Sequence, residues 1–169
     1  MTTQETEVLI REFQPGDEAA FRRLNEEWII QHFILEPKDE ASLADPQGTI
    51  LDHGGRIFFA VRADHLVECC ALLAMAPGEF EVAKMAVTES SRRAGIGRRL
   101  LEKIIAEVHA SGAHRLYLET NRQLVAAIRL YESLGFRHVP SERVVQSPYA
   151  RANVYMELYL DEIPRRSET

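Results

Sequence analysis

The sequence predicts a mixed α/β fold (an α+β mixed sheet): a central, mostly antiparallel sheet with one parallel strand pair, flanked by helices. Three observations carry that expectation. Between residues 56 and 87, three β-prone runs follow one another with only turn signals between them. From Lys84 to Glu107, a strand runs through a glycine turn into an amphipathic helix. A further strand, His114 to Thr120, follows that helix, and the right-handed crossover rule makes it parallel to its partner. At 169 residues the chain is expected to form one domain over 7–161, with 1–6 and 162–169 as flexible termini.

Taken in order, Glu7 to Phe13 (EVLIREF) reads as the first strand. Pro15-Gly16-Asp17 is a turn with Asp17 as candidate cap. Ala19, Ala20, Leu24, Trp28 and Ile29 then recur at helical spacing, giving a helix to about His32. Phe33 to Pro37 breaks it, Lys38 to Leu43 is a short second helix, and Pro46 to Gly55 is a helical turn or loop. Arg56 to Ala63 and Leu66 to Ala76 form a hairpin about Asp64-His65. Pro77-Gly78 turns the chain into Glu79 to Val87, the strand that feeds the glycine turn. In the next helix Ile96, Leu100, Leu101, Ile104, Ile105 and Val108 share a face, and Gly112 is a left-handed cap. Leu124 to Leu134 is another helix, capped by Gly135. A strand from Phe136 to Pro140, a loop from Ser141 to Arg151 and a closing strand from Ala152 to Leu160 complete the chain.

Composition narrows the function classes. The net charge of −6 argues against a nucleic-acid partner, so the arginines around Gly95 form a patch against the overall balance. No apolar run reaches membrane length and no signal-peptide core opens the chain, which reads as cytoplasmic with no membrane partner. Cys69 and Cys70 are adjacent and would point to opposite faces of a strand, which rules out a disulfide framework and a zinc quartet.

A strand, a glycine turn and a helix N-terminus make an anion site, because the first helical N–H groups lack internal partners and the macrodipole is positive there. Gly95 and Gly97 permit close approach, and Arg92, Arg93, Arg98 and Arg99 add cationic forks suited to phosphate. A P-loop fails, since Arg98-Arg99-Leu100 follows Gly97 where GK[ST] is needed. A dinucleotide fingerprint fails at Leu100, its third glycine position. The pattern [RQ]xxGx[GA], filled by Arg92, Gly95 and Gly97, remains. A second motif, AxxLYxxxGF, is filled by Ala127, Leu130, Tyr131, Gly135 and Phe136, about one βα unit further on. On these two motifs the chain resembles the GCN5-related N-acetyltransferase (GNAT) superfamily, over most of Val8 to Leu160; the N-terminal third matches in layout only.

The resemblance implies an enzyme using acetyl-CoA as cosubstrate, with no metal, that transfers acetyl directly to a primary amine of a small molecule, amino acid or peptide. Backbone groups of Met85, Ala86 and Val87 would serve the pantetheine arm. Those of Arg93, Ala94, Gly95, Ile96, Gly97 and Arg98 would hold the pyrophosphate, with the Arg92 and Arg93 side chains beside it. Tyr131 would reach the thioester sulfur, where a phenol can donate to a departing thiolate. The superfamily often has Asn seven residues before this tyrosine. Leu124 stands there, so Asn121 either takes over the contact or caps the helix.

The acceptor amine is mostly ammonium at pH 7 and needs a base. Glu81 matches the strand position of the glutamate base of histone-type members, and residues 81, 83 and 85 share a face if no bulge intervenes. Glu79 and Glu119 are nearby carboxylates; a water chain is the alternative to a dedicated base. Trp28, His32, Phe33 and Glu36 lie where such folds cover the acceptor, although each also reads as a core aromatic or solvated carboxylate. Tyr149 and Arg151 are candidates for an acceptor carboxylate, against a simply solvated arginine. A homodimer through the closing strand Val154 to Leu160 is a further expectation. The alternative to an enzyme is a non-catalytic acyl-CoA-binding or sensor module of the same fold.

Overall fold

A computed structural model describes residues 7–87 and 94–163. Its strands are β1 (Val8–Glu12), β2 (Arg56–Arg62), β3 (His65–Ala74), β4 (Glu79–Val87), β5 (Arg115–Thr120), β6 (Arg137–His138) and β7 (Val154–Tyr159). Its helices are α1 (Glu18–His32), α2 (Pro37–Ala44), the single turn α3 (Pro46–Thr49), α4 (Ile96–Ala110) and α5 (Val125–Ser133). The strands form one sheet in the order β1-β2-β3-β4-β5-β7-β6, antiparallel throughout except for β4 and β5.

Alternation along the strands divides the core. Cys70, Leu72, Val82, Leu116, Leu118 and Met156 face Leu100, Leu101, Ile104 and Val108 of α4 and Tyr131 of α5. Cys69, Ala71, Ile57 and Phe59 face Phe21 and Leu24 of α1 and Leu43 of α2. The adjacent cysteines therefore do enter opposite clusters, both buried and free. Burying each large α4 side chain is worth ~2 kcal/mol, so this stripe fixes where the N-terminus of α4 points.

Several local readings change. The β2–β3 turn is Ala63-Asp64, one residue earlier than expected. Both residues have positive φ (51° and 62°), and Arg62 pairs with His65, as a two-residue primed turn requires. Asp17 makes no side-chain bond to a helical N–H; its carboxylate accepts from Gln14 N and pairs with Arg11 at 2.7 Å. The closing strand β7 lies between β5 and β6, so at Met156 and Glu157 both of its edges are already paired. At those two residues no strand edge is left for a second copy.

Two features position the site. The parallel pairing of β4 with β5 stops at Val82–Leu118, so Ala83 to Val87 and Glu119 to Thr120 diverge. In β4 the register against β3 jumps between Ala83 and Ala86, with Lys84 at φ 50°, a left-handed value that non-glycine residues rarely adopt. This bulge reverses the alternation. Lys84 turns toward α2, whereas Met85 packs in the α4–α5 cluster. Glu81 and Met85 do not share a face, contrary to the unbroken-strand expectation.

Candidate active site

A cleft of about 720 Å³ opens where β4 and β5 part. One end is the start of α4. Gly95 is its N-cap in the left-handed region (φ 70°) and brings no capping side chain of its own. The cleft walls include Gly95, Gly97 and Arg98 at this end, with Leu130 and Tyr131 of α5 beyond. Gly97 is closely packed: a Cβ there would lie 3.0 Å from Glu68 Oε1 and 3.3 Å from Met85 Cε, so a side chain would press on both. A Cβ at Gly95 meets nothing within 4 Å, so glycine is there for its φ. Arg92 and Arg93, expected beside a phosphate, lie outside the described residues, as does the turn Thr88 to Ser91. Arg98 reaches Ser133 Oγ at 2.5 Å and Glu102 at 3.7 Å, and Arg99 donates to Val8 O, so both forks serve the protein.

Glu68 was not singled out from the sequence, although an acid inside the run LVECCALLAMA was a signal. It is fully buried beneath Gly97, and neither carboxylate oxygen has a partner among the described residues. Burial pushes its carboxyl up to about 8, so it is mostly neutral at pH 7 and does not oppose an anion at the helix start. In the unfolded chain an ordinary carboxyl ionises near 4.3, so folding becomes progressively less favourable from there up to about pH 8. The expected cost at pH 7 is roughly 3 kcal/mol. Glu68→Gln should therefore raise Tm most at pH 8–9 and hardly at pH 4, measured by thermal denaturation across pH. An equal gain at both pH values would contradict a titrating Glu68.

Tyr131 is carried to mid-cleft by α5 and is buried, with its ring edge-on to Phe136 at 5.9 Å. Its hydroxyl stands 3.9 Å from Met85 Sδ, across the parting of the strands. Burial, with Cys70 and Glu68 nearby, holds the phenol above its ordinary value, so it keeps its proton at neutral pH. Asn121 lines the cleft, with part of its side-chain amide already engaged. Its amide donates to Arg151 O at 2.7 Å and accepts from Gln123 N at 2.8 Å, so it ties the end of β5 to the following loop. Leu124 is the N-cap of α5 and lines the cleft.

The far end of the cleft is built from α1, the outer face of β4 and β5, and the loop before β7. Trp28, His32 and Phe33 line it, with Glu81, Lys84, Glu119, Tyr149 and Arg151. Burial and then the neighbouring Glu119 carboxylate push Glu81 up to about 7. Glu79 is turned aside, pairing with His114 and Arg115. Glu36 is taken by the capping box of α2 and by Arg151 at 3.2 Å. Arg151 itself forks onto Asp39 at 2.6 and 2.7 Å, so it does not offer the carboxylate site read from the sequence.

Asp39, another residue the sequence did not single out, is the centre of this lock. Its side chain has no exposure, and it also accepts from Lys84 Nζ at 2.7 Å and Glu36 N at 2.9 Å. Burial alone would raise the carboxyl, but the Arg151 and Lys84 donors more than reverse this and leave it well below the usual range. Tyr149 covers both cations, 4.6 Å from Arg151 and 5.1 Å from Lys84. The Asp39 lock thus holds the β4 bulge to α2 and to the loop. Asp39→Ala strands two partly buried cations and should cost about 3 kcal/mol. That corresponds to a Tm lower by roughly 6–12 °C. A change below about 2 °C would show that the lock contributes nothing net.

Comparison with known proteins agrees with this layout. The family described as acetyltransferase (GNAT) matches residues 18–136. A [ribosomal protein bS18]-alanine N-acetyltransferase of Salmonella typhimurium is 37% identical over 81 residues, covering 48% of this chain and 55% of that protein. The chain thus spans about half the length of that relative. An IAA acetyltransferase of Azospirillum brasilense is 37% identical over 103 residues, 60% of this chain and 67% of the relative. Among solved structures, an acetyltransferase of the GNAT family from Staphylococcus aureus superposes with a TM-score of 0.82 at 19% identity, covering 91% of this chain and 99% of that one. At that identity the likeness speaks for the fold.

Proposed function

The chain belongs to the acetyltransferase (GNAT) family, whose members use acetyl-CoA, and from that premise we propose that it is an acetyl-CoA-dependent N-acetyltransferase acting on a primary amine of a small molecule, amino acid or peptide. One observation carries the reading: a single cleft joins the α4 start at Gly95, where no described side chain caps the helix, a buried phenol at Tyr131 and a carboxyl titrating near 7 at Glu81.

The bound coenzyme would supply an activated acetyl thioester. Backbone N–H groups from Gly95 to Arg98 would hold its diphosphate, and a neutral Glu68 beneath Gly97 does not oppose that charge. Backbone groups of Met85, Ala86 and Val87, on the edge of β4 left free by β5, pair with the pantetheine arm. Arg92, Arg93 and Ala94 remain assigned to the diphosphate by the motif alone. Glu81, when ionised, accepts the proton of the acceptor ammonium, directly or through water. Tyr131 keeps a proton at Oη and donates a hydrogen bond where thiolate charge develops. The splayed strand end beyond Val82 excludes bulk water once both substrates fill it.

The test is thiol release from acetyl-CoA with a panel of amines, with mass spectrometry of the product. Amine-dependent thiol release with an acetylated amine is expected. Coenzyme binding without thiol release from any amine would favour the non-catalytic module instead.

A further inference from the structure

The charges at the acceptor end of the cleft restrict what can bind there. Two described cations line that end, Lys84 and Arg151, and both face Asp39 rather than the opening. Arg151 is additionally paired with Glu36, and the Tyr149 ring covers both cations. Lys38 reaches the same ring at 5.9 Å but is exposed and stands outside the cleft wall.

The carboxylates of Glu81 and Glu119 face the opening and form no ion pair among the described residues, although Lys84 and Lys38 are near enough to favour the ionised form of Glu81. Glu119 Oε2 is buried and accepts no hydrogen bond among the described residues. A buried acceptor of this kind is costly until a donor arrives, and an ammonium group brings three. Around the two carboxylates the walls are Trp28, Phe33 and the ring of Tyr149. A carboxylate entering beside the ammonium would meet two like charges, while the two cations of the wall are already committed to Asp39 and the exposed Lys38 stands at the rim beside the Tyr149 ring.

We propose that the acceptor is a primary ammonium on an apolar or aromatic stem with no carboxylate next to it, held between Glu81 and Glu119, and that free amino acids are excluded. This rests on the reading of the cleft as the acceptor site and narrows it. The same chemistry belongs to a free arylalkylamine and to the N-terminal residue of a peptide.

Trp28 is the sole tryptophan and lies on this wall, so its fluorescence reports occupancy without turnover. The protein saturated with coenzyme A is titrated with phenethylamine, phenylalaninamide and phenylalanine, which share ring and ammonium. At least one of the first two should bind tenfold or more tighter than phenylalanine. Preference for phenethylamine points to a free amine, and preference for phenylalaninamide to a peptide terminus. In Glu119→Gln that gap should shrink to threefold or less through weaker amine binding. Phenylalanine binding within twofold of the better amine would overturn the proposal, as would the absence of any fluorescence response to all three. An unchanged gap in Glu119→Gln would overturn the part given to that residue. Failure of the transferase reading is read separately, as amine binding that produces no thiol from acetyl-CoA.

Discussion

Tyr131→Phe should lower kcat by about 10²–10³-fold while the affinity for acetyl-CoA changes by less than about threefold. The ring packs edge-on against Phe136 inside the α4–α5 cluster, and phenylalanine keeps that packing. What disappears is one hydroxyl, whose only described contact is the 3.9 Å approach to Met85 Sδ. That contact is weak, so stability should fall by no more than about 1 kcal/mol. The loss therefore belongs to the transition state, where a donor in a low-dielectric cleft acts on developing thiolate charge. Single-turnover thiol release beside calorimetric binding separates the two quantities. A kcat within threefold of the parent would leave Tyr131 only a packing role.

Glu81→Gln should lower kcat/KM by roughly 10²-fold at pH 8 and change the shape of its pH profile. The carboxyl titrates near 7, raised first by burial and then by Glu119. Its basic form is the ionised one, so activity falls as pH drops through about 7. Glutamine removes that limb and leaves only the rise due to deprotonation of the amine itself. For folding, a carboxyl raised above its unfolded value is destabilising at pH above about 4.3, so the variant should be at least as stable as the parent at pH 8. A parallel profile, merely displaced downward, would reassign the base to water or to Glu119.

Much of this site was legible in the sequence because local rules govern it. The α4 stripe from Ile96 to Val108 and the left-handed Gly112 are short-range features, and the parallel pairing of β4 with β5 follows from the crossover; Gly95, read as permitting close approach, is instead needed for its positive φ. The cysteine pair pointing to opposite faces follows from the pleat alone. The lock around Asp39 was not legible, since Arg151 lies 112 positions away in the chain and Lys84 45. The bulge at Lys84 was hidden for the same reason. A lysine in the left-handed region has no local signature; here its ammonium is anchored across the cleft wall by a buried carboxylate. That bulge is also why Glu81 and Met85 face opposite layers. Glu68 shows the limit from the other side: an acid in an apolar strand is visible, but its place beneath Gly97 is not.

Diffraction from crystals grown with acetyl-CoA addresses the central claim most directly. The diphosphate should lie on the backbone amides from Gly95 to Arg98, and the thioester sulfur should come within hydrogen-bonding reach of Tyr131 Oη. Coenzyme bound elsewhere, or with its sulfur turned away from Tyr131 and Glu81, would contradict the account.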